Sequence, residues 1–393
     1  MITVKTKIVI ATGLFSALLC SCSLQKDKAN GIESDPSQYA IQPGAKINIP
    51  VDDKKVVDFD SIFSDYYFIK LETTAESLID ETNTGDGLGN RILLGEDNIF
   101  ISNHERILVF NTKGKFVREI NHKGQDGESY ISILTFNLLD ENNIVILDRM
   151  GHSLVTYSVD DKFVSKVSDL PFNGMEDFVT INDSLAILRF DTPNDGHELC
   201  VINIGIAKPI RLLKSMLRSN PFGYNFFSPK YHGKYLLAGH MSTDIYEVDA
   251  DSATIRYSFD FGDYNLPVDY WKDFKSTIEN LMKLADFIGH VPFFSESDHS
   301  LLLRFRGRAG NLTHKSTGYA YVDKVTGNVQ VTKSMRCKDY EFVPGMMFPQ
   351  DDGIVVIPFA VSDIMSSNSE KLIDLLPALQ EDDNPVLCIA RLK

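Results

Sequence analysis

The stretch Asn98–Tyr130, NIFISNHERILVFNTKGKFVREINHKGQDGESY, constrains the fold more than any other segment, because its pattern returns in weaker form at Asn143–Leu170. Two apolar runs flank a short polar turn, a Gly-marked turn leads to a third run, and a Gly-rich loop crosses to the next copy. A meander of this size cannot bury both faces alone, so several copies must stack side by side around an axis. The expected fold is therefore all-β, a β-propeller of four-stranded antiparallel blades. At 393 residues and 43% hydrophobic, the chain is large enough for one such ring.

Strand signals follow the repeat along residues 51–393: short β-branched or alternating runs bounded by Gly, Asn and Asp. With strands lettered a to d from the axis outward, blade one is expected over Arg91–Asn121 and blade two over Leu134–Val167. The third spans Asp177–Leu213, the fourth Phe226–Phe261 and the fifth Pro292–Lys333. A last blade over Met346–Leu392 has no strand d, which the N-terminal run Tyr66–Thr73 can supply, closing the ring and removing an exposed edge. The expected count is six.

Two segments interrupt the pattern. Trp271, Phe274, Ile278, Leu281, Ala285 and Ile288 recur at helical spacing and predict an inserted helix over about 268–289. A polar stretch over about 362–384 holds a short helical core and Pro377. Both fall in b–c or d–a loops, which emerge on the same face of a four-stranded blade. The aromatics of the inner strands, Phe136, Phe178, Phe226, Phe293 and Phe348, are expected in the core.

The first 22 residues read as a targeting segment. Lys5 and Lys7 precede an apolar run, Ile8–Leu19, of 12 residues, short of the roughly 20 that span a bilayer. It ends in Leu19-Cys20-Ser21-Cys22, which resembles a bacterial lipobox with Cys22 as the residue expected to be acylated, since Cys20 would follow the bulky Leu19; ordinary secretion with cleavage near here is the alternative. Residues 23–50 are expected to form a flexible tether. The formal charge of −15 argues against nucleic acid and against an anionic lipid surface as partners, leaving the lipid anchor as the membrane contact. Cys200, Cys337 and Cys388 are odd in number, and two lie in apolar strand runs, so buried free thiols are expected.

The runs YYFIKLETTAESLI and IFISNHERILVFNTKGKFVREINHKGQDGESY and the ending NPVLCIARLK resemble the six-bladed β-propeller lipoproteins of Bacteroides-type bacteria, which share NHL-type repeats. The resemblance covers nearly the whole mature chain. It implies the fold and an outer-membrane lipoprotein facing the periplasm or the exterior, and it brings no catalytic motif. The loop Gly124–Tyr130, GQDGESY, departs from the G-Q-G-P-G-E-Y of that family by losing Pro and gaining Ser, which puts the loop's shape in question.

No G-x-S-x-G, P-loop, H-E-x-x-H or paired C-x-x-C is present. Candidate chemistry is therefore placed by geometry, at the ends of the b strands and in the b–c loops. These carry Asn103, His104 and Arg106; Asp148, Arg149 and His152; Arg189 and Asp191; His240 and Asp244; and Arg304, Arg306 and Arg308. Arginines gathered at one mouth suit an acidic or sugar-like ligand, with Arg149, Arg189, Arg304, Arg306, Asp148, Asp191, His240 and Trp271 as its site. The bland alternative is that Arg149, Arg189 and Arg304 pair with Asp148, Asp191 and inter-blade carboxylates to satisfy buried charge. No cofactor and no metal are expected. A hydrolase with Ca²⁺ on Asp148, Asn103 and Asp191 is the enzyme alternative, opposed by the adjacent positive charge. His104, His152, His197, His240 and His290 lack metal-ligand spacing. The expected role is non-catalytic: a monomeric module that binds a small molecule, a glycan or an envelope protein.

Overall fold

The computed structural model describes residues 35–79, 91–102, 105–170, 174–194, 197–206, 208–213, 227–238, 242–266, 287–307, 317–367, 369–376 and 378–393. The chain divides at Asp35–Pro36, and the architecture below is that of Pro36–Lys393. It is an all-β propeller of four-stranded antiparallel blades with few helices.

Blade one consists of Arg91–Leu94, Asn98–Ser102, Ile107–Asn111 and Phe116–Ile120. Blade two follows with Thr135–Leu138, Asn143–Asp148, Ser153–Ser158 and Phe163–Val167. In the third, Met175–Asn182, Leu185–Asn194, His197–Asn203 and Lys208–Leu212 pair in sequence order. The fourth has Phe227–Tyr231, Lys234–Ala238, Asp244–Val248 and Ala253–Asp260, and the fifth Ile288–Glu296, Ser300–Gly307, Thr317–Asp323 and Val329–Thr332. In the last blade, Phe348–Pro349, Ile354–Phe359 and Val386–Leu392 are joined by Phe63–Lys70 as strand d. The N-terminal closing strand thus starts three residues earlier than Tyr66. Inner strands follow one another around the axis from blade one through blade five to Phe348–Pro349, which returns to Arg91–Leu94.

The count is corrected: seven sheets are present where six were expected. The additional sheet has three strands, Val57–Asp58, Met335–Cys337 and Tyr340–Phe342. The sequence hides it because its hairpin strands are three residues long and turn at Lys338, at φ 58°. Their third partner lies at the other end of the chain.

Residues 36–50, expected to lie within the tether, belong to the folded body. From Pro36 the chain is ordered: Ala45–Asn48 adds a fifth, parallel strand to the outer edge of blade four, and Ile47, Ile49 and Val51 are buried in its core. Apolar residues at alternate positions drive this, because only one side of such a strand faces solvent. Blades four and five are further joined by Glu296, 2% exposed. Its carboxylate accepts Arg256 through Nε at 2.7 Å and Nη2 at 3.0 Å, Lys324 Nζ at 2.9 Å and Tyr257 Oη at 2.8 Å.

Phe136, Phe178, Phe293 and Phe348 are buried, in agreement with the inner-strand reading, whereas Phe226 lies outside the described residues. Cys200, Cys337 and Cys388 are free and buried, and burial pushes the Cys200 and Cys337 thiols up to about 11. The stretch over 362–384 carries two short helices, Val361–Ser366 and Glu370–Ile373. The expected helix over 268–289 falls mostly outside the described residues. Among the described residues no helix is long and apolar enough to cross a membrane.

Candidate functional site

The b–c and d–a loops sit on strand ends, and buried polar side chains fix them there. Asp148, fully buried at the end of strand b in blade two, accepts the N–H of Ile131 at 2.8 Å, of Ser132 at 3.3 Å and of Gly151 at 2.9 Å. One carboxylate thereby holds the preceding d–a loop and its own b–c turn. Gly151 is needed for this approach, since a Cβ there would lie 2.1 Å from Asp148 Oδ2. Arg106 works in the same way on blade one. Its guanidinium donates to the carbonyls of Glu76 at 3.0 Å and Leu78 at 3.1 Å and pairs with Glu119 at 2.6 Å.

Asn384, 1% exposed, ties the 361–385 insertion to the d–a loop that leads into blade one. Its Oδ1 accepts Ile79 N–H at 2.8 Å, and its Nδ2 donates to the carbonyls of Glu72 and Ser77, both at 2.9 Å. The GQDGESY loop is shaped by the residues in which it is unusual. Asp126 accepts the Ser129 hydroxyl at 2.7 Å and the Glu128 N–H at 2.9 Å, which holds its carboxyl below the ordinary range. Gly124 N–H closes onto the Tyr130 carbonyl at 2.9 Å, while the buried Tyr130 hydroxyl reaches Glu105 O at 2.7 Å. The side-chain link between Asp126 and Ser129 fastens the turn within this loop.

On these fixed loops several large apolar side chains point into solvent. They are Leu78 and Ile131 in d–a loops, Met150 in the b–c turn of blade two, and Met365 and Leu375 in the insertion. Met150 is 68% exposed and Leu375 52%.

Closer to the axis, an arginine overlooked in the sequence organises three blades. Arg91, first residue of the inner strand of blade one, donates to Thr135 Oγ1 at 2.8 Å, to Asn137 Oδ1 at 3.1 Å and to Asp177 Oδ1 at 3.1 Å. Its side chain is 12% exposed and that of Asp177 is fully buried. Towards the opposite, a–b face the ring is stitched again. Thr180 bonds Leu138 O, Tyr235 bonds Thr180 O, Asp351 accepts Lys230 N–H, and Gln350 bonds Ile92 O and Leu94 N–H.

Two of the mouth arginines are buried. Arg189 is fully buried and lies 3.6 Å from Glu176, on the neighbouring strand of its own blade. Arg304, 5% exposed, lies over the Tyr319 ring at 5.9 Å. Arg149 and Arg306 are partly buried. Asn103, His104, His240, Trp271, Arg308 and Cys22 lie outside the described residues, as does the side chain of Asp191. Among the described residues, no group of three or more His, Cys, Asp or Glu gathers where a metal could be held.

Residues 45–391 match the family model described as Domain of unknown function (DUF4934). The chain belongs to the DUF4934 family. Among solved structures, the DUF4934 chain is similar to a Bacteroides fragilis protein described as a "putative exported protein". The two share 20% identity at a TM-score of 0.70, over 89% of this chain and 100% of the other. A DUF4221 family member from Bacteroides vulgatus is 10% identical, with a TM-score of 0.48, over 84% of this chain and 97% of that one. No curated protein matches the sequence. The first likeness carries the propeller fold, and the role of the DUF4934 chain rests on its own residues.

Proposed function

We propose that this DUF4934 chain is an outer-membrane lipoprotein, acylated at Cys22, that works as a non-catalytic binding module of the bacterial envelope. Its partner is a protein, met on the b–c and d–a face. One observation carries the reading: loops fixed from beneath by Asp148, Arg106 and Asn384 hold Leu78, Ile131, Met150, Met365 and Leu375 in water. Exposed apolar side chains on a surface already ordered bind at little further entropic cost. Arg189 and Arg304 contribute charge satisfaction and packing between strands. Asp148, which a hydrolase would recruit for a cation, is occupied by three backbone N–H groups.

A photoreactive amino acid placed at Met150, Leu375, Val164 or Ile206 of the full-length protein in cells tests this. The first two positions lie on the proposed face and the last two on the outer rim, and all four are exposed. Crosslinks from Met150 and Leu375 to one and the same envelope protein, with none from Val164 or Ile206, are expected. Equal patterns at all four, or no crosslink from the face, would overturn the reading. A glycan or organic acid that raises the melting temperature of the wild type but not of Arg306→Ala would put a small ligand in the partner's place.

A further inference from the structure

The chain covers the edge of blade four with an added strand and meets that of blade five through an isolated bridge. Ala45–Asn48 runs parallel along Tyr257–Asp260, the C-terminal half of strand d in blade four. Lys54 bridges Val331 in strand d of blade five in the same sense, and Lys55 donates its N–H to the Val331 carbonyl at 3.0 Å. Strand d of the last blade, Phe63–Lys70, has no such cover among the described residues and ends its sheet.

Beside the C-terminal half of that strand lies a groove of about 590 Å³. One wall is the unbroken run Tyr67–Thr73, the other is the turn Thr112–Lys115 of blade one, and Asp383 of the 361–385 insertion completes the lining. Consecutive side chains of a strand point to opposite faces, so a groove lined by an unbroken run is lined by the backbone edge itself. The groove is stopped at one end. Glu72 donates its N–H to Gly114 O at 2.8 Å, and a Cβ on Gly114 would fall 2.1 Å from Lys70 O. Before that stop the edge is open, and Tyr67 is 55% exposed. Across from it stand the exposed Lys113 and Lys115, the latter 3.3 Å from Glu72; with Lys70, 2.6 Å from Asp383, the lining holds three cations against two carboxylates, on a chain whose net charge is −15.

We propose that this edge accepts an extended acidic segment of a partner protein as a fifth strand, in the position that Ala45–Asn48 and Lys54–Lys55 take on blades four and five. Main-chain hydrogen bonds would supply affinity without sequence, Lys113 and Lys115 would select acidic side chains, and Tyr67 would cover the added strand. The groove borders the b–c and d–a face through Glu72, Thr73 and Asp383, and its occupant is tested without reference to the exposed apolar residues of that face.

The test is fluorescence anisotropy on the purified full-length protein, with a fluorescein-labelled octapeptide of alternating valine and glutamate as probe. Saturable binding is expected, weakened about tenfold or more by Lys113→Glu with Lys115→Glu. A similar loss should follow N-methylation of alternate peptide amides, a readout that needs no variant protein. The same peptide with lysine for glutamate should prefer the charge-reversed protein. The proposal is overturned by absence of saturable binding, by binding indifferent to charge reversal, or by binding indifferent to N-methylation.

Discussion

Arg189 shows how differently one residue reads before and after its surroundings are known. In sequence it is an arginine at the end of a strand near a channel mouth, which suits anion recognition. In place it is fully buried beside Glu176, with its side chain between strands. A buried pair of this kind adds little net stability, but removing one partner leaves the other charge stranded. Arg189→Ala is therefore expected to lower unfolding stability by about 3–5 kcal/mol, whereas Arg189→Met with Glu176→Gln should recover most of the loss. Urea unfolding of the two proteins checks this; equal losses would mean that the pair is not what holds the site. Asp148 reads likewise: its residue type was legible as a site candidate, but its service to Ile131, Ser132 and Gly151 depends on loops folding back over it. Arg91 was invisible, because its partners Thr135, Asn137 and Asp177 lie on two other blades.

At the scale of elements, what was local could be read and what was distant could not. Blades one and two follow from hydrophobic alternation and Gly-marked turns, and the closing strand follows from a last blade one strand short. Ala45–Asn48 escaped notice because its four residues pair in parallel with a strand more than 200 positions along the chain. Its attachment has a titratable component. Lys46 Nζ lies 2.6 Å from Asp260, and together with the Asn265 amide and the Gly262 N–H it holds the Asp260 carboxyl at about 2. A depressed carboxyl contributes its stability above the ordinary aspartate value of about 3.9 and loses it as pH falls through the lowered one. The strand should thus stay attached by this pair at neutral pH and loosen only as pH drops from about 4 towards 2. An NMR titration of Asp260 is expected to give a midpoint near 2 that rises in Lys46→Ala. A midpoint near 4, unmoved by that substitution, would show that the pair does not form.

For the molecule as a whole, polar side chains fasten blade to blade at both ends of the axis, and the N-terminal segment binds the rim and closes the last blade. Such a ring can hold its loops still, which is what gives the exposed apolar residues of one face their meaning. The central claim is that the b–c and d–a loops are already ordered before any partner arrives. Hydrogen exchange on the full-length protein alone measures this at three amides bonded to buried side chains, Ile131 and Gly151 on Asp148 and Ile79 on Asn384. Exchange slowed at all three to the rates of the blade strands is expected. Exchange at the rate of an unstructured peptide, with the strands still protected, would contradict a preformed binding face.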